Sequence, residues 1–231
     1  MPPGVHLQGK RVLVAGGSGV LGSAIARELK AHGTTVMLAG RDAVRLQQRA
    51  TELGPEVRSA IFDLTVAGHI DHVVATAREA MGGLDGLVNA AGVVAFGPLL
   101  DLDPEELGQI AATNLVGPLR LVQAVLPHLS NGFIVNISGI VAETPMAGMV
   151  AYSATKAGLS AATIALGREL RPQGVHVLDV RPPHTETGLA GRAISGTAPT
   201  MPRGLEPDQV ASVIVAGLMA GKRELAGIDF A

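Results

Sequence analysis

Short apolar runs alternate with longer amphipathic segments along most of this chain of 231 residues. The runs are brief, rich in Val, Ile and Leu, and closed by Gly, Asn or Pro, which is typical of buried strands. Three intervening segments, 22–33, 43–54 and 69–83, have helical length and end at glycine. This alternation predicts an α/β fold, a doubly wound parallel sheet covered by helices in three layers. The predicted strands are RVLVAG (11–16), TTVMLAG (34–40), VRSAIF (57–62), LDGLVNAAG (84–92), GFIVNIS (132–138) and GVHVLDVRP (174–182).

The chain shows no internal repeat and no linker before residue 187. Residues 1–231 are therefore expected to form one domain with a sizeable core. The stretch 187–205 is rich in Gly, Pro, Ala and Thr. Its length indicates a functional loop rather than a domain boundary, so we expect it to contact substrate.

Composition excludes several classes of function. Hydrophobic residues make up 47% of the chain, the net charge is −2, and no basic run appears, which argues against nucleic acid and anionic membranes as partners. The absence of cysteine excludes disulfides and thiolate metal sites and fits a cytoplasmic protein. The uncharged run 12–26 imitates a secretory signal, but its glycines interrupt the required apolar helix. No run reaches the roughly 18 apolar residues of a membrane span.

Three glycines, Gly16, Gly19 and Gly22, follow the first predicted strand and open the first predicted helix. The first permits a tight turn, the second lets the backbone approach a pyrophosphate, and the third lets helix pack on strand. The N–H groups of the helix would face the anion. The spacing therefore predicts a dinucleotide site, whereas a P-loop is disfavoured because no Gly-Lys-Ser/Thr follows.

The end of the second predicted strand indicates which dinucleotide is bound. Proteins that bind NAD in this way place an acidic residue there to hold the ribose hydroxyls. Here the place falls on Gly40, and Arg41 follows, a cation suited to a 2′-phosphate. We therefore expect NADP(H) in preference to NAD; the alternative is that Arg41 is an ordinary solvated loop residue.

Six short segments extend the pattern: AGGSGVLG (15–22), FDLT (62–65), NAAG (89–92), NLVG (114–117), YSATK (152–156) and RPPHTET (181–187). In this order they resemble the short-chain dehydrogenase/reductase family, in its shorter single-domain branch, over nearly the whole chain. Tyr-x-x-x-Lys alone would be weak support, whereas six segments in order are specific. The resemblance implies a single Rossmann-like domain.

The resemblance also implies which residues hold the dinucleotide. The glycine turn would take the pyrophosphate, FDLT would lie beside the adenine, and RPPHTET would hold the nicotinamide amide. The residues assigned in this way are Gly16, Ser18, Gly19, Val20, Leu21, Gly22, Arg41, Asp63, Leu64, Asn89, Ala90, Ala91, Gly92, Tyr152, Lys156, Pro182, Thr185 and Thr187.

Tyr152, the only tyrosine, and Lys156 lie four residues apart and would share one face of a helix. A free phenol has a pKa near ~10, too high for ready proton exchange at neutral pH. A nearby ammonium is expected to lower that pKa. The resemblance implies that Tyr152 exchanges a proton with the substrate oxygen, that Lys156 binds the nicotinamide ribose, and that Asn114 holds a water connecting Lys156 to solvent.

The family's catalytic serine departs from the expected position in this chain. It usually stands thirteen residues before the tyrosine, which here is Gly139, with Ser138 one residue early. Side chains alternate faces along a strand, so this slip turns the hydroxyl away unless the loop 139–151 compensates. Ser138 is the candidate, Thr144 is a substitute, and a vacant role is the third alternative.

Three smaller departures bear on the assignment. Two residues separate each pair of turn glycines, as in the family's extended branch of epimerases and dehydratases, although this chain looks too short for their extra substrate domain. Ala90 replaces the second Asn of Asn-Asn-Ala-Gly, which removes a side chain that would connect neighbouring strands. Pro183 replaces a usual glycine, so a positive φ is impossible there.

Other polar side chains carry less weight. His69 and His72 lie three apart, but no third ligand is near in sequence, so no metal site is expected. His184 lies beside the nicotinamide segment and is interpreted as an ordinary loop residue. Arg192 and Arg203 in the 187–205 loop would suit an acidic substrate, and solubility explains them equally well.

The sequence leaves three functions open. The leading hypothesis is an NADP(H)-dependent oxidoreductase that interconverts a small-molecule ketone or aldehyde and its alcohol. A protein that binds or senses a dinucleotide without chemistry is suggested by Gly139. An epimerase-like enzyme with tightly held NAD is suggested by the glycine spacing.

Two long predicted helices, 107–129 and 153–170, are apolar beyond one stripe. A helix that covers a sheet needs one apolar face, so the surplus is expected to be buried against another subunit. Small residues at Ala154, Gly158, Ala161 and Ala165 would allow close approach, and the alternative is that both helices are buried within one subunit. Family members commonly pair these helices about a twofold axis, so we expect a homodimer or homotetramer.

Overall fold

The computed structural model describes residues 4–231. Seven parallel strands form one sheet in the order β3-β2-β1-β4-β5-β6-β7, which confirms the doubly wound α/β fold. The strands are β1 Arg11–Ala15, β2 Thr35–Gly40, β3 Arg58–Ile61, β4 Gly86–Asn89, β5 Phe133–Ile137, β6 His176–Val180 and β7 Glu224–Leu225.

Helices cover both faces of this sheet. Along β1, Val12 and Val14 face a core shared with α1, α2 and α7, whereas Leu13 and Ala15 face a core shared with α3 and α5. This alternation is the pattern that a sheet buried on both faces requires. The helices are α1 Val20–Ala31, α2 Ala43–Leu53, α3 His69–Met81, α4 Pro104–Ala111, α5 Gly117–Val125, α6 Val150–Glu169 and α7 Pro207–Met219.

Six of the seven strands, β1 to β6, were predicted from the sequence, whereas β7 and α7 were not. Strand β7 has only two residues, Glu224 and Leu225, and no alternation is detectable over that length. Helix α7 begins at Pro207, and proline is common in the first turn of a helix, so this residue could have indicated where α7 begins.

The predicted long helix 107–129 is part of one helical stretch from Pro104 to His128, in which a π-helical turn at Ala112–Val116 joins α4 to α5. Among the described residues, this stretch alone has a length and composition that would allow a membrane crossing. Core helices of soluble proteins can have the same length and composition, and this stretch packs against α3 and α6.

Candidate active site

A cavity of about 410 Å³ lies where the carboxyl ends of the central strands meet, the usual ligand position in a parallel α/β sheet. Its walls contain every residue assigned to the dinucleotide except Asn89. Tyr152, Lys156 and Ser138 also line it, and Asn114 does not. Five of the six segments identified in the sequence therefore converge on one site, and NLVG lies behind its wall.

The glycine turn is shaped so that only glycine fits at its key positions. Gly16 has φ +84°, and a Cβ there would lie 2.5 Å from the Ala91 nitrogen. A Cβ at Gly22 would collide with the Gly16 carbonyl oxygen, so Gly22 packs against the turn itself. Gly19 is the N-cap residue of α1 and has no side chain to cap it, which leaves N–H groups of the first turn for an anion. These features fit a dinucleotide pyrophosphate.

Cations line the part of the cavity beyond β2. A Cβ at Gly40 would lie 2.6 Å from Ser18 Oγ, so a side chain there would require Ser18 to move. Arg41 lines the cavity, its side chain is 52% exposed, and its guanidinium lies 3.8 Å from Asp63. Arg45, which the sequence analysis missed, lines the same region and pairs with Asp42 at 2.6 Å. Its position in the first turn of α2, shortly after Arg41, was the sequence signal that could have identified it.

Asn89 lies inside the sheet rather than in the cavity wall. Its side-chain amide donates to Asn136 Oδ1 at 2.7 Å, and Asn136 in turn donates to Thr163 on α6 at 2.9 Å. From the sequence, Ala90 was expected to remove a side chain that would connect neighbouring strands. Asn89 supplies such a link, from β4 to β5.

Tyr152 and Lys156 lie in the first two turns of α6 and face the cavity together. Lys156 is 4% exposed, and its ammonium donates to the Ile137 carbonyl oxygen at 2.8 Å. Its Nζ lies 5.8 Å from the centroid of the Tyr152 ring. The pair therefore has the shared orientation that the i, i+4 spacing predicted.

The expectation that Lys156 lowers the pKa of Tyr152 is wrong. Burial raises the pKa of Tyr152 to about 12, because the phenolate would be desolvated. The same burial lowers the pKa of Lys156 to about 8, while the charge of Asp179 opposes that shift. Desolvation prevails because the ammonium is held on a backbone carbonyl and not against the phenol oxygen.

Asn114 lies in the π-helical turn and is fully buried behind the cavity wall. Its side chain exchanges two hydrogen bonds with the backbone of Val93, at 2.8 and 2.9 Å. A water held by this residue would therefore have to use its backbone carbonyl. Pro118, four residues later, has no N–H to donate to that carbonyl.

Ser138 is 1% exposed, and its hydroxyl points into the protein. Its Oγ lies 2.6 Å from Asp179 Oδ1 and 3.0 Å from the Val180 carbonyl oxygen. Both neighbours are acceptors, so the hydroxyl hydrogen is committed to them and does not reach a substrate carbonyl. The geometry does not support the predicted catalytic role of Ser138.

The neighbouring positions do not restore a hydroxyl to the site. The N–H groups of Ser138 and Gly139 both donate to the Val180 carbonyl oxygen, at 2.9 and 3.1 Å, and Gly139 has φ +104°. The loop that follows therefore does not turn Ser138 toward the cavity. Thr144, the substitute considered, is exposed on that loop, outside the cavity wall.

The outer part of the cavity is mostly apolar. The 187–205 segment contributes Thr187, Leu189, Arg192, Ile194 and Met201 to its wall. The remaining apolar lining comes from the loops after β4 and β5, with Val94, Phe96, Ile140, Val141, Met146 and Met149.

The polar residues set aside on sequence grounds are distributed around this region. His184 lines the cavity 3.6 Å from Glu186, and the Arg192 guanidinium donates to the Thr187 carbonyl at 3.2 Å. Arg203 pairs with Glu206 at 2.7 Å on the exterior. Within residues 4–231, no three His, Asp or Glu side chains are grouped as a metal site would require.

Asp179 and Arg181 border the site and were not singled out from the sequence. Asp179 is fully buried on β6 beneath α6, and Arg181 binds it together with Glu143 and Glu224. Two charged residues within and just after an otherwise apolar strand, VLDVR, were the signal that could have identified them.

Comparison with known proteins agrees with this geometry. The family model for short chain dehydrogenase matches residues 10–197. An uncharacterized oxidoreductase of Staphylococcus epidermidis is 31% identical over 212 residues, 90% of each chain. A short chain dehydrogenase from Burkholderia cenocepacia, solved in complex with NADP, is 30% identical with a TM-score of 0.84 and covers 96% of this chain and 98% of its own.

A 3-ketoacyl-(acyl-carrier-protein) reductase from Brucella melitensis, solved with NADH, is 25% identical with a TM-score of 0.86, covering 96% of this chain and 97% of its own. The family model spans most of the chain, and the similarity to solved members covers nearly all of it. The chain therefore belongs to the short-chain dehydrogenase family.

Proposed function

We propose that this protein is an NADP(H)-dependent oxidoreductase that interconverts a ketone or aldehyde and the corresponding alcohol. The observation that carries the proposal is that Tyr152 and Lys156 face the same cavity as the glycine turn. A proton donor and a dinucleotide cradle in one cavity are what carbonyl reduction requires.

When bound, the dinucleotide supplies or accepts the hydride at the substrate carbon. The protein's part is to hold the substrate oxygen beside the Tyr152 hydroxyl, which gives a proton in reduction and takes one in oxidation. Tyr152, with its pKa raised to about 12, carries that proton throughout the neutral range. The apolar wall of the outer cavity excludes water and accepts apolar substituents of the substrate.

The commitment of Ser138 to Asp179 makes this site simpler than the family pattern. The carbonyl oxygen would then receive its principal hydrogen bond from Tyr152 rather than from a tyrosine and a serine together. Oxidation to the ketone requires Tyr152 to act as base, which burial opposes because it raises the pKa of the phenol to about 12.

Three residues support the preference for NADP(H). Gly40 supplies no carboxylate for the ribose hydroxyls, which disfavours the NAD arrangement. Arg41 and Arg45 line the adjoining wall, where the 2′-phosphate of NADP(H) would accept charge-assisted hydrogen bonds. The Burkholderia relative was solved with NADP and the Brucella relative with NADH, so both dinucleotides occur on this fold.

A second function is favoured by the orientation of Ser138. A protein that binds a dinucleotide and senses it without turnover would need the cradle and not the serine. The structure retains the cradle and directs the Ser138 hydroxyl to Asp179.

Incubation with NADPH and a panel of ketones and aldehydes tests these functions. NADPH oxidation that depends on the carbonyl compound supports the reductase. Saturable NADPH binding without turnover on any member of the panel supports the sensor. NAD that remains bound through purification would instead support an epimerase-like enzyme and contradict the NADP(H) preference.

A further inference from the structure

Asp179 is a fully buried carboxylate in the middle of the polar cluster below the cavity. Ser138 donates to its Oδ1 and Ser160 to its Oδ2, each at 2.6 Å. Arg181 donates to Oδ2 as well. Two hydroxyls and a guanidinium therefore converge on this carboxylate, which forms a buried ion pair with Arg181.

Asp179 and Lys156 lie in the same layer, between the sheet and α6. On β6, Asp179 alternates with Leu178 and Val180, which places its side chain on the face covered by α6. Ser160 is one helical turn beyond Lys156 on that helix, on the same face. Lys156 itself binds the carbonyl of Ile137, the residue preceding Ser138. The two serines that bind Asp179 are thus neighbours of Lys156, one along α6 and one just after β5.

Two opposing effects act on the ammonium. Burial disfavours the charged form of Lys156 and lowers its pKa to about 8, and the charge of Asp179 acts in the opposite direction. Arg181, which also binds Asp179, has two further carboxylates of its own in Glu143 and Glu224. These carboxylates offset the charge of the guanidinium, so that it does not fully neutralise Asp179.

Among the described residues, charged and titratable groups on the other elements packed against α6 form no hydrogen bond or ion pair with Lys156. The ring of His176, at the start of β6, bonds to the Lys222 carbonyl. Glu106 caps the first turn of α4 beside Glu105, and Arg171 is exposed after the end of α6. Tyr152 is the remaining titratable group beside Lys156, and it is neutral below about pH 12.

We propose that Asp179 is a positioning residue for Lys156: its buried charge keeps the amine protonated and seated on the Ile137 carbonyl. The proposal depends on the proposed reductase activity only for its catalytic consequence. A purely structural role, in which Asp179 does no more than join β6, α6 and Arg181, would leave the ionisation of Lys156 unchanged.

The ionisation of Lys156 is directly measurable in the free protein. The chain has four lysines, so labelling lysine with ¹³C at Cε gives few resonances to titrate, and Lys156→Gln assigns the relevant one. Asp179→Asn keeps the shape of the side chain and removes its charge. We expect the titration midpoint of Lys156 to fall by about one pH unit or more. An unchanged midpoint would overturn the proposal.

Glu143→Gln is the matched control, because it removes a carboxylate from the same arginine on its outer side. It should shift the Lys156 midpoint much less than Asp179→Asn does, because Glu143 reaches the amine only through Arg181. An equal shift in both variants would mean that any loss of negative charge around Arg181 has this effect, and the specific role of Asp179 would be abandoned.

Arg181→Gln decides the question if Asp179→Asn does not fold. It keeps the Asp179 carboxylate and removes its neighbouring cation, so the Lys156 midpoint should rise. A fall or no change would contradict the proposal.

The catalytic consequence is tested by the pH profile of kcat/KM with NADPH. In Asp179→Asn, the alkaline limb should move to lower pH together with the Lys156 midpoint. A limb that stays in place while the midpoint moves would refute the catalytic part. Absence of turnover in the wild type would refute the proposed function and leave the NMR result valid.

Discussion

The hydroxyl of Ser138 donates to the carboxylate of Asp179, 2.6 Å away and buried beneath α6. This contact departs from the pattern of the family, because it commits the hydroxyl that would otherwise polarise a substrate carbonyl. Gly139, which has a positive φ, occupies the position where the family has its serine.

The first prediction concerns this serine. A serine that donates to a carbonyl in the transition state costs on the order of 10²-fold or more in turnover when it is removed. Because Ser138 faces Asp179, we expect Ser138→Ala to lower kcat by less than tenfold, chiefly through the loss of a donor to a buried carboxylate. Steady-state kinetics with NADPH and an active carbonyl compound measures this. A loss of 10²-fold or more would return Ser138 to the catalytic group.

Tyr152→Phe should have the opposite outcome. The variant keeps the ring and removes the only phenol in the chain, so reduction should fall by several orders of magnitude. NADPH affinity, measured by fluorescence titration, should remain close to wild type because the glycine turn is intact. Turnover near the wild-type rate would exclude Tyr152 as the proton donor.

The raised pKa of Tyr152 can be measured directly by ultraviolet absorbance. The chain has one tyrosine and no tryptophan, so absorbance near 295 nm reports this phenol alone. The native protein should begin to ionise at higher pH than the urea-unfolded chain, whose midpoint should lie near ~10. Since the unfolded chain releases the proton first, stability should fall as pH rises from about 10 towards about 12. Coincident titration curves would show that the phenol is not desolvated.

The same residues show what could be read from the sequence. The glycine turn and the Tyr152–Lys156 pair depend on local spacing, so their placement in one cavity was predictable. The partners of Ser138 and Arg181 are not local, since Asp179 lies 41 residues beyond Ser138 and Glu224 lies 43 beyond Arg181. Only the pairing of strands brings these groups together.

The pKa of Tyr152 was mispredicted for a related reason. Helical spacing indicates that two side chains share a face, and it does not give the depth of burial or the acceptor that the amine chooses. Lys156 binds the Ile137 carbonyl, 19 residues away in sequence, at the end of a strand. Desolvation of both groups then outweighs their mutual attraction.

Cofactor preference gives a fourth prediction. Arg41→Ala should weaken NADPH binding much more than NADH binding, because only NADPH loses a charge-assisted phosphate contact. Arg45→Ala should act in the same direction. Arg49→Ala is the control, since Arg49 lies on α2 and pairs with Glu52 away from the cavity. Calorimetric titration of the wild type and each variant with NADH and with NADPH measures these affinities, and equal weakening of NADH and NADPH by Arg41→Ala would show that Arg41 does not bind the phosphate.

The last prediction concerns assembly. Ala154, Ala161 and Ala165 are exposed along one side of α6, and Val116 is 50% exposed on the adjoining π-helical turn. Gly158 lies against Leu115 between them, so the two elements form one continuous surface of small and apolar side chains. A face of this kind is expected to be buried against its own copy about a twofold axis.

Light scattering at micromolar concentration should therefore give two or four times the chain mass of 23.5 kDa. Ala161→Glu places a charge in the middle of this surface and should produce monomers, because a buried unpaired carboxylate is costly. Val44→Glu, at a position 79% exposed on α2, should leave the assembled mass unchanged. A monomeric wild type, or dissociation by Val44→Glu as readily as by Ala161→Glu, would rule out this surface as the contact between subunits.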